Sequence, residues 1–247
     1  MLRFLATQPD PVTLDRLATA VGLPRSTAYH LLTAMIEEGF VVHLPEEHRY
    51  GLGVAAFEVG SGYARQAPLQ RIARRHLAAL VDAVGQSAHL AVLHGRDVLY
   101  VLEERAPGLP PLVTDVGVRL PAHLTASGRA ILAALPSAQV RALYPDRDAF
   151  VDRHGTGPMS LSALRSVLTE TRQRGYADEL GEVTPGFASV AAAVLDHNQH
   201  PVAGVAVTFA QGAFGDLGPV VAATRRTADT LTARLGGSVL RQAAGSA

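Results

Sequence analysis

Residues 13–50, TLDRLATAVGLPRSTAYHLLTAMIEEGFVVHLPEEHRY, decide the fold of the N-terminal part of the chain. Thr13 is a good N-cap, and Leu14, Leu17 and Ala18 recur at i, i+3 and i+4, so a short amphipathic helix starts there. Gly22 supplies the left-handed residue that ends it. Pro24 suits the first position of a second helix, where its missing N–H costs nothing. Along that second helix Ala28, Leu31, Leu32, Met35 and Ile36 form one apolar face, and Arg25, Ser26, Tyr29, His30 and Thr33 lie opposite. After Gly39 come the β-branched Val41 and Val42 and then a polar hairpin tip. Helix, tight turn, helix and β-wing together make a winged helix-turn-helix, a layout that lays its second helix in the major groove of double-stranded DNA.

Small polar, aromatic and cationic side chains without a carboxylate are suited to phosphates and base edges. On this reading Arg25, Ser26, Thr27, Tyr29 and His30 read the groove and hold phosphates, and Arg49 and Tyr50 anchor the wing on the DNA backbone. The charge balance pulls the other way. Residues 1–66 hold five Arg against seven Asp or Glu, where a DNA-binding domain is expected to carry a basic footprint. The few cations must therefore be concentrated at Arg25 and Arg49, with His30, His43 and His48 nearby. Non-specific affinity is then modest, and two or more protomers are needed on one operator. The alternative is a small-molecule-binding module whose winged part mediates assembly rather than DNA binding.

The chain is long enough for two domains: 247 residues, 48% hydrophobic and 18% charged, with zero formal net charge. No bulk electrostatic partner is implied. No apolar run approaches a membrane span, and no signal peptide precedes the first helix, which places the protein in the cytoplasm. Residues Leu2 to Thr7 make only about half of the helix that usually opens a winged domain, so either that helix is short or the natural start lies upstream. Cysteine is absent, which removes disulfides, thiolate zinc sites and cysteine nucleophiles together.

Beyond the wing, residues 52–66 read as a linker helix interrupted by Gly60 and Gly62. Its Val54, Phe57, Val59 and Tyr63 form no single stripe, and they pack either on a partner chain or on their own wing. An amphipathic helix follows from Leu69 to Val84. HLAVLHGRDVLYVLEE, residues 89–104, alternates on both sides of Gly95-Arg96-Asp97, and residues 189–210 repeat the pattern around His197-Asn198-Gln199-His200; both are hairpin signals. Helices are expected at about 127–135, 137–144, 161–175 and 220–235. The fold class is α+β: a winged helix-turn-helix over residues 1–51, a linker over 52–66, and an antiparallel sheet flanked by helices over 67–247.

Five stretches carry a resemblance: GLPRSTAYHLLTAMIEEGFV, RYGLG, GVRLPAHLTASGRAILAAL, RQRGYADELGEVTPGFASVAAAVLD and VAGVAVTF. In this order and spacing the chain resembles the IclR family of bacterial transcriptional regulators. The resemblance implies a GAF-like effector domain, homodimers or homotetramers, operator DNA as one partner, and a small-molecule effector, here an organic or aromatic acid. It places the effector loop at Leu124-Thr125-Ala126-Ser127-Gly128, where the N–H groups of a helix start and two hydroxyls suit an anion; Thr125 is equally the N-cap of that helix. It also places Glu179, Ser189, Ala206 and Thr208 at the pocket. There the family's keto-acid binders carry an acidic residue, a Cys and two Ser, so a different acid is expected, with Leu112 and Leu120 as apolar walls. His123 matches a position beside the effector loop.

No cofactor and no metal are expected. His89, His94, His123, His197 and His200 lack the i, i+4 spacing of a helical zinc site. Nor is there a G-x-S-x-G elbow, a phosphate-cradling Gly-Lys-Ser/Thr loop or a G-x-G-x-x-G after a strand. Asp178, Glu179 and Glu182 have no nucleophile or metal to work with, so an enzyme is not expected.

Overall fold

The computed structural model describes residues 1–66, 68–110 and 112–238. The chain divides into two compact units, Met1–Pro68 and Leu69–Ala247.

The first unit contains α1 (Leu2–Ala6), β1 (Val12–Thr13), α2 (Leu14–Val21), α3 (Arg25–Glu37), β2 (Val41–Leu44), β3 (Arg49–Leu52) and α4 (Val54–Gln66). Local chemistry sets the turn between α2 and α3. The Thr13 hydroxyl accepts from Arg16 N–H, and Gly22 ends α2 at φ 67°. Pro24 stands one position earlier than expected, as the N-cap of α3 with ψ 144°, so Arg25 is the first helical residue. The apolar face of α3 is narrower than the sequence pattern suggests. Ala28 and Leu32 are fully buried and Met35 packs beside them, whereas Leu31 and Ile36 are 41% and 36% exposed. A unit this small has core on one side of α3 only. The three-stranded sheet, in the order β1-β3-β2, is antiparallel and pairs Tyr50 with both Val12 and His43.

Helix α4 runs through Gly60 without a break. Gly53 fits directly against the Gly39 carbonyl, and Ala55 N–H donates to the same oxygen, so the start of α4 is fixed on the wing. Val54, Phe57 and Val59 do not pack on that wing: they are 71%, 77% and 59% exposed. The side chain of Tyr63 lies outside the described residues.

The second unit contains α5 (Pro68–Val84), β4 (Ser87–His94), β5 (Asp97–Glu104), β6 (Arg119–Pro121), α6 (Ala126–Ala134), α7 (Ser137–Leu143), α8 (Leu161–Arg174), β7 (Ala177–Leu180), β8 (Phe187–Leu195), β9 (Pro201–Ala210) and α9 (Gly218–Arg234), with a 3-10 turn at Arg147–Ala149. The two expected hairpins, β4–β5 and β8–β9, join through β4 and β9 into an antiparallel sheet of order β6-β5-β4-β9-β8-β7. The short edge strands β6 and β7 were not legible in the sequence. Alternation sorts the strand residues between two faces. Ala188, Val190, Val205 and Val207 pack with Leu77, Leu80 and Leu231 of α5 and α9. On the other face Ala191 and Ala206 meet Ala126 and Ala130 of α6. These small side chains let α6 lie close on the sheet: a Cβ at Gly204 would sit 2.8 Å from the Ser127 carbonyl oxygen.

Candidate functional sites

Each unit carries one. In the first, Arg25, Ser26, Tyr29 and His30 of α3 line a concave surface together with Asp15, His43, His48 and Tyr50. Tyr29 is 52% exposed, with its ring edge-on to that of His30. Thr27 is exposed but lies off this concavity. Arg25, the lone cation of α3, forms an ion pair with Asp15 at the start of α2. Arg49 Nη1 donates to the Pro11 carbonyl at 3.0 Å, and its Nε lies 3.9 Å from Glu47. Tyr50 departs from the expectation that it reaches the DNA backbone. It is buried in the core of the unit and its ring stacks on His43 at 4.7 Å, so it holds the wing in shape instead.

In the second unit, a cavity of about 80 Å³ opens at the start of α6. Of the residues expected there, Leu112, Thr125, Ala126, Ser127, Glu179, Ser189, Ala206 and Thr208 line it. Leu120 and Gly128 do not. Leu120 is buried among Tyr100, Leu124 and Ile131. Gly128 is pressed on the backbone of Ala122, where a Cβ would stand 2.2 Å from the carbonyl oxygen. Tyr100, Val113, Thr114, Val183, Thr184 and Phe187 complete the lining and were missed. Tyr100 reads as one more core aromatic in an alternating strand, and the others sit in loops or at a strand's first residue, where periodicity is silent.

Register assembles the polar wall. Glu179 pairs with Ser189, Ser189 with Thr208, and Thr208 with Ser87, making one row across β7, β8, β9 and β4. Ser189 Oγ donates to Glu179 Oε1 at 2.9 Å and lies 2.9 Å from Thr208 Oγ1. Glu179 Oε2 is buried without a well-formed hydrogen bond, although the Val183 amide lies close enough to ease its charge. Burial pushes the Glu179 carboxyl up to about 7; repulsion from Glu182 adds to this, and the bond from Ser189 opposes it.

Opposite stands the first turn of α6. Thr125 Oγ1 accepts from Gly128 N–H at 3.0 Å, which leaves the N–H groups of Ala126 and Ser127 at the positive end of the helix dipole. Ser127 Oγ is buried and makes no full hydrogen bond, although the Tyr100 hydroxyl lies near it. Burial raises the Tyr100 pKa, so this phenol stays a donor. Arg129 of α6 is 4% exposed, donating to the His123 and Asp178 carbonyls and to Glu182 Oε1 at 2.8–2.9 Å. His123 packs edge-on against Tyr144 and Phe150 beneath the loop. His89 is fully buried, bonded to Thr114, and held neutral by burial with its pKa near about 3. Among the described residues no group of three His, Asp or Glu is placed to hold a metal ion, and no helix is long and apolar enough to cross a membrane.

Residues 1–45 match the IclR helix-turn-helix domain, and residues 61–233 match the bacterial transcriptional regulator IclR C-terminal domain. The chain is 36% identical over 240 residues to the glycerol operon regulatory protein of Streptomyces coelicolor, covering 96% of this chain and 93% of that protein. It is 30% identical over 210 residues to the transcriptional repressor IclR of Escherichia coli, covering 84% and 76%. Its fold is also that of an IclR homologue from Microbacterium hydrocarbonoxydans crystallised with 4-hydroxybenzoate, at TM-score 0.76, 22% identity and 93% coverage of both chains. With a winged helix-turn-helix in front of a helix-covered antiparallel sheet, and both domain models matched in order, the chain belongs to the IclR family of DNA-binding transcriptional regulators.

Proposed function

We propose that this regulator is a repressor of a metabolic operon, released or retuned by a small organic acid that binds at the start of α6. The observation that carries the effector reading is a pair of buried polar atoms without a full hydrogen bond, Ser127 Oγ and Glu179 Oε2, on residues that line one cavity. A buried polar atom costs free energy until something bonds to it. The N–H groups of Ala126 and Ser127 suit the carboxylate of such a ligand, and Leu112, Val113 and Phe187 supply apolar contact. The cavity is smaller than the ~150 Å³ that accommodates benzene. An acid of about two carbons therefore fits directly, and a larger or aromatic acid fits once the segment carrying Leu112 and Thr114 moves outward.

Arg25, Ser26, Tyr29 and His30 read the groove, with Thr27 and Arg49 on the flanking phosphates. Val54, Phe57 and Val59 pair protomers as a homodimer or homotetramer, so that two α3 helices meet a pseudo-palindrome about one DNA turn, or a small multiple, apart. The effector shifts DNA affinity because it binds one arrangement of the winged domains better than the other. The protein acts in the cytoplasm beside its DNA and catalyses no reaction. A footprint on the intergenic DNA upstream of its own gene, repeated with a panel of organic and aromatic acids, tests this. A protected palindrome that changes with one acid is expected. Protection indifferent to every acid would remove the effector assignment, and no protection at low salt would remove the operator.

A further inference from the structure

When an acid enters the α6 cavity, two carboxyl groups face each other: the ligand's and that of Glu179. Two buried anions without a cation between them repel strongly. Among the described residues, the elements packed around Glu179 place no cation in the cavity lining. From α6 comes Ser127, which is neutral, while Arg129 does not line the cavity and uses three of its five N–H groups on two carbonyls and Glu182. From the turn after β7 comes Glu182, an anion already paired with Arg129 and with the Leu180 amide. On β7 itself Asp178 is tied to Arg174. Tyr100 of β5, Ser189 of β8 and Thr208 of β9 offer only hydroxyls. Thr114 bonds to His89, whose ring is neutral. His154, near the same turn, is bonded to the Val183 carbonyl.

We propose that the effector is a small acid taken up together with one proton, which Glu179 carries on Oε2 and donates to the ligand carboxylate, while the Ala126 and Ser127 amides hold the carboxylate's other side. The inference rests on the acid-effector reading above and adds the protonation state in which the site accepts its ligand. The geometry leaves Oε2 without a full hydrogen bond, although the Val183 amide and the Glu182 carboxyl lie close to this carboxyl, and Oε1 is the oxygen that accepts from Ser189. Glu179 is therefore a specificity-determining residue as well as a lining one: it admits a carboxylate when protonated and repels it when ionised. Burial and Glu182 already bring the empty site close to the neutral-pH range, and a bound anion raises the proton affinity further.

Calorimetric titration of the full-length protein tests this, with 2-hydroxypropanoate, glycerate and 4-hydroxybenzoate as probes and glycerol as a neutral control. Binding enthalpies at pH 8 in two buffers of different ionisation enthalpy report the number of protons exchanged. Uptake near one proton is expected at pH 8, shrinking toward zero at pH 6, with affinity falling about tenfold per pH unit above ~7.5. In Glu179→Gln, which melts cooperatively if folded, uptake vanishes and affinity is flat from pH 6 to 8.5. An acid that binds the wild type with no proton uptake and a flat pH profile overturns the proton linkage and leaves the acid-effector reading standing. Uptake that persists undiminished in Glu179→Gln overturns the assignment to Glu179. Binding of glycerol with refusal of all three acids overturns the acid reading itself, and the linkage with it, as does refusal of every probe.

Discussion

Arg25, the first residue of α3, is ion-paired with Asp15, the second residue of α2, across the helix-turn-helix. Both side chains are about two-thirds exposed, so the pair adds little to stability. Its effect is expected on DNA. With α3 in the groove as proposed, Asp15 would hold the guanidinium in one direction and set a negative charge beside the phosphates. Arg25→Ala is expected to weaken operator binding by roughly 10- to 100-fold and to leave effector binding unchanged. Asp15→Asn is expected to strengthen non-specific DNA binding and to lower the ratio of operator to non-specific affinity. Titrations at several salt concentrations check both; a wild-type operator affinity in Arg25→Ala would remove α3 from the groove.

Ser127→Leu places an apolar side chain where a buried hydroxyl faces the cavity, beside Tyr100 and opposite Glu179. DNA binding should persist and the response to acid should be lost. A fluorescence-anisotropy titration of operator DNA with and without the acid distinguishes the two, and an unchanged response would move the effector site elsewhere.

Glu179 also predicts how stability varies with pH. Its folded value, about 7, lies above its ordinary 4.5, so between these values the folded chain binds more protons than the unfolded one. The contribution of this group therefore falls as pH rises from about 4.5 to about 7 and is constant beyond. Glu179→Gln should flatten that part of the profile. Melting temperatures across pH 5 to 8 measure it; identical slopes in both proteins would mean that Glu179 is ionised throughout.

Phe57 is 77% exposed, between Val54 at 71% and Val59 at 59%. Its replacement by Arg should dissociate protomers while leaving each chain folded, because little is packed against that ring within its own chain. Sedimentation velocity is expected to show a smaller species with an unshifted circular-dichroism spectrum. An unchanged sedimentation coefficient would place the interface on another surface.

The sequence made much of this architecture legible, and the misses have physical causes. Alternation at period two located β4, β5, β8 and β9 because each spans eight or more residues; β6 and β7, with three and four, are too short to show a period. Leu31 and Ile36 share the helical phase of Leu32, yet phase alone cannot tell where the core of a small unit ends. In the cavity, the loop residues Thr125 to Ser127 came from the family resemblance, and cap chemistry added only that a helix starts there. The row from Glu179 through Ser189 to Thr208 became a hydrogen-bonded chain only through strand register, which no linear spacing encodes. Tyr100 was missed because nothing in β5 separates a core tyrosine from one that faces a cavity.

The close seating of α6 has a mechanical consequence. Its first turn is gripped between the Ala122 carbonyl, against Gly128, and the β9 backbone at Gly204, against the Ser127 carbonyl, while Arg129 bolts the next turn to β7 and its loop. A floor gripped at those points transmits force without flexing. An acid bound as proposed would press instead on the rest of the lining, including the segment of Leu112, Val113 and Thr114, which is held by Thr114 to His89 and by Asp115 to Arg105. In that arrangement the cavity has a fixed floor, and any adjustment to a ligand falls to the segment that those two side-chain contacts hold.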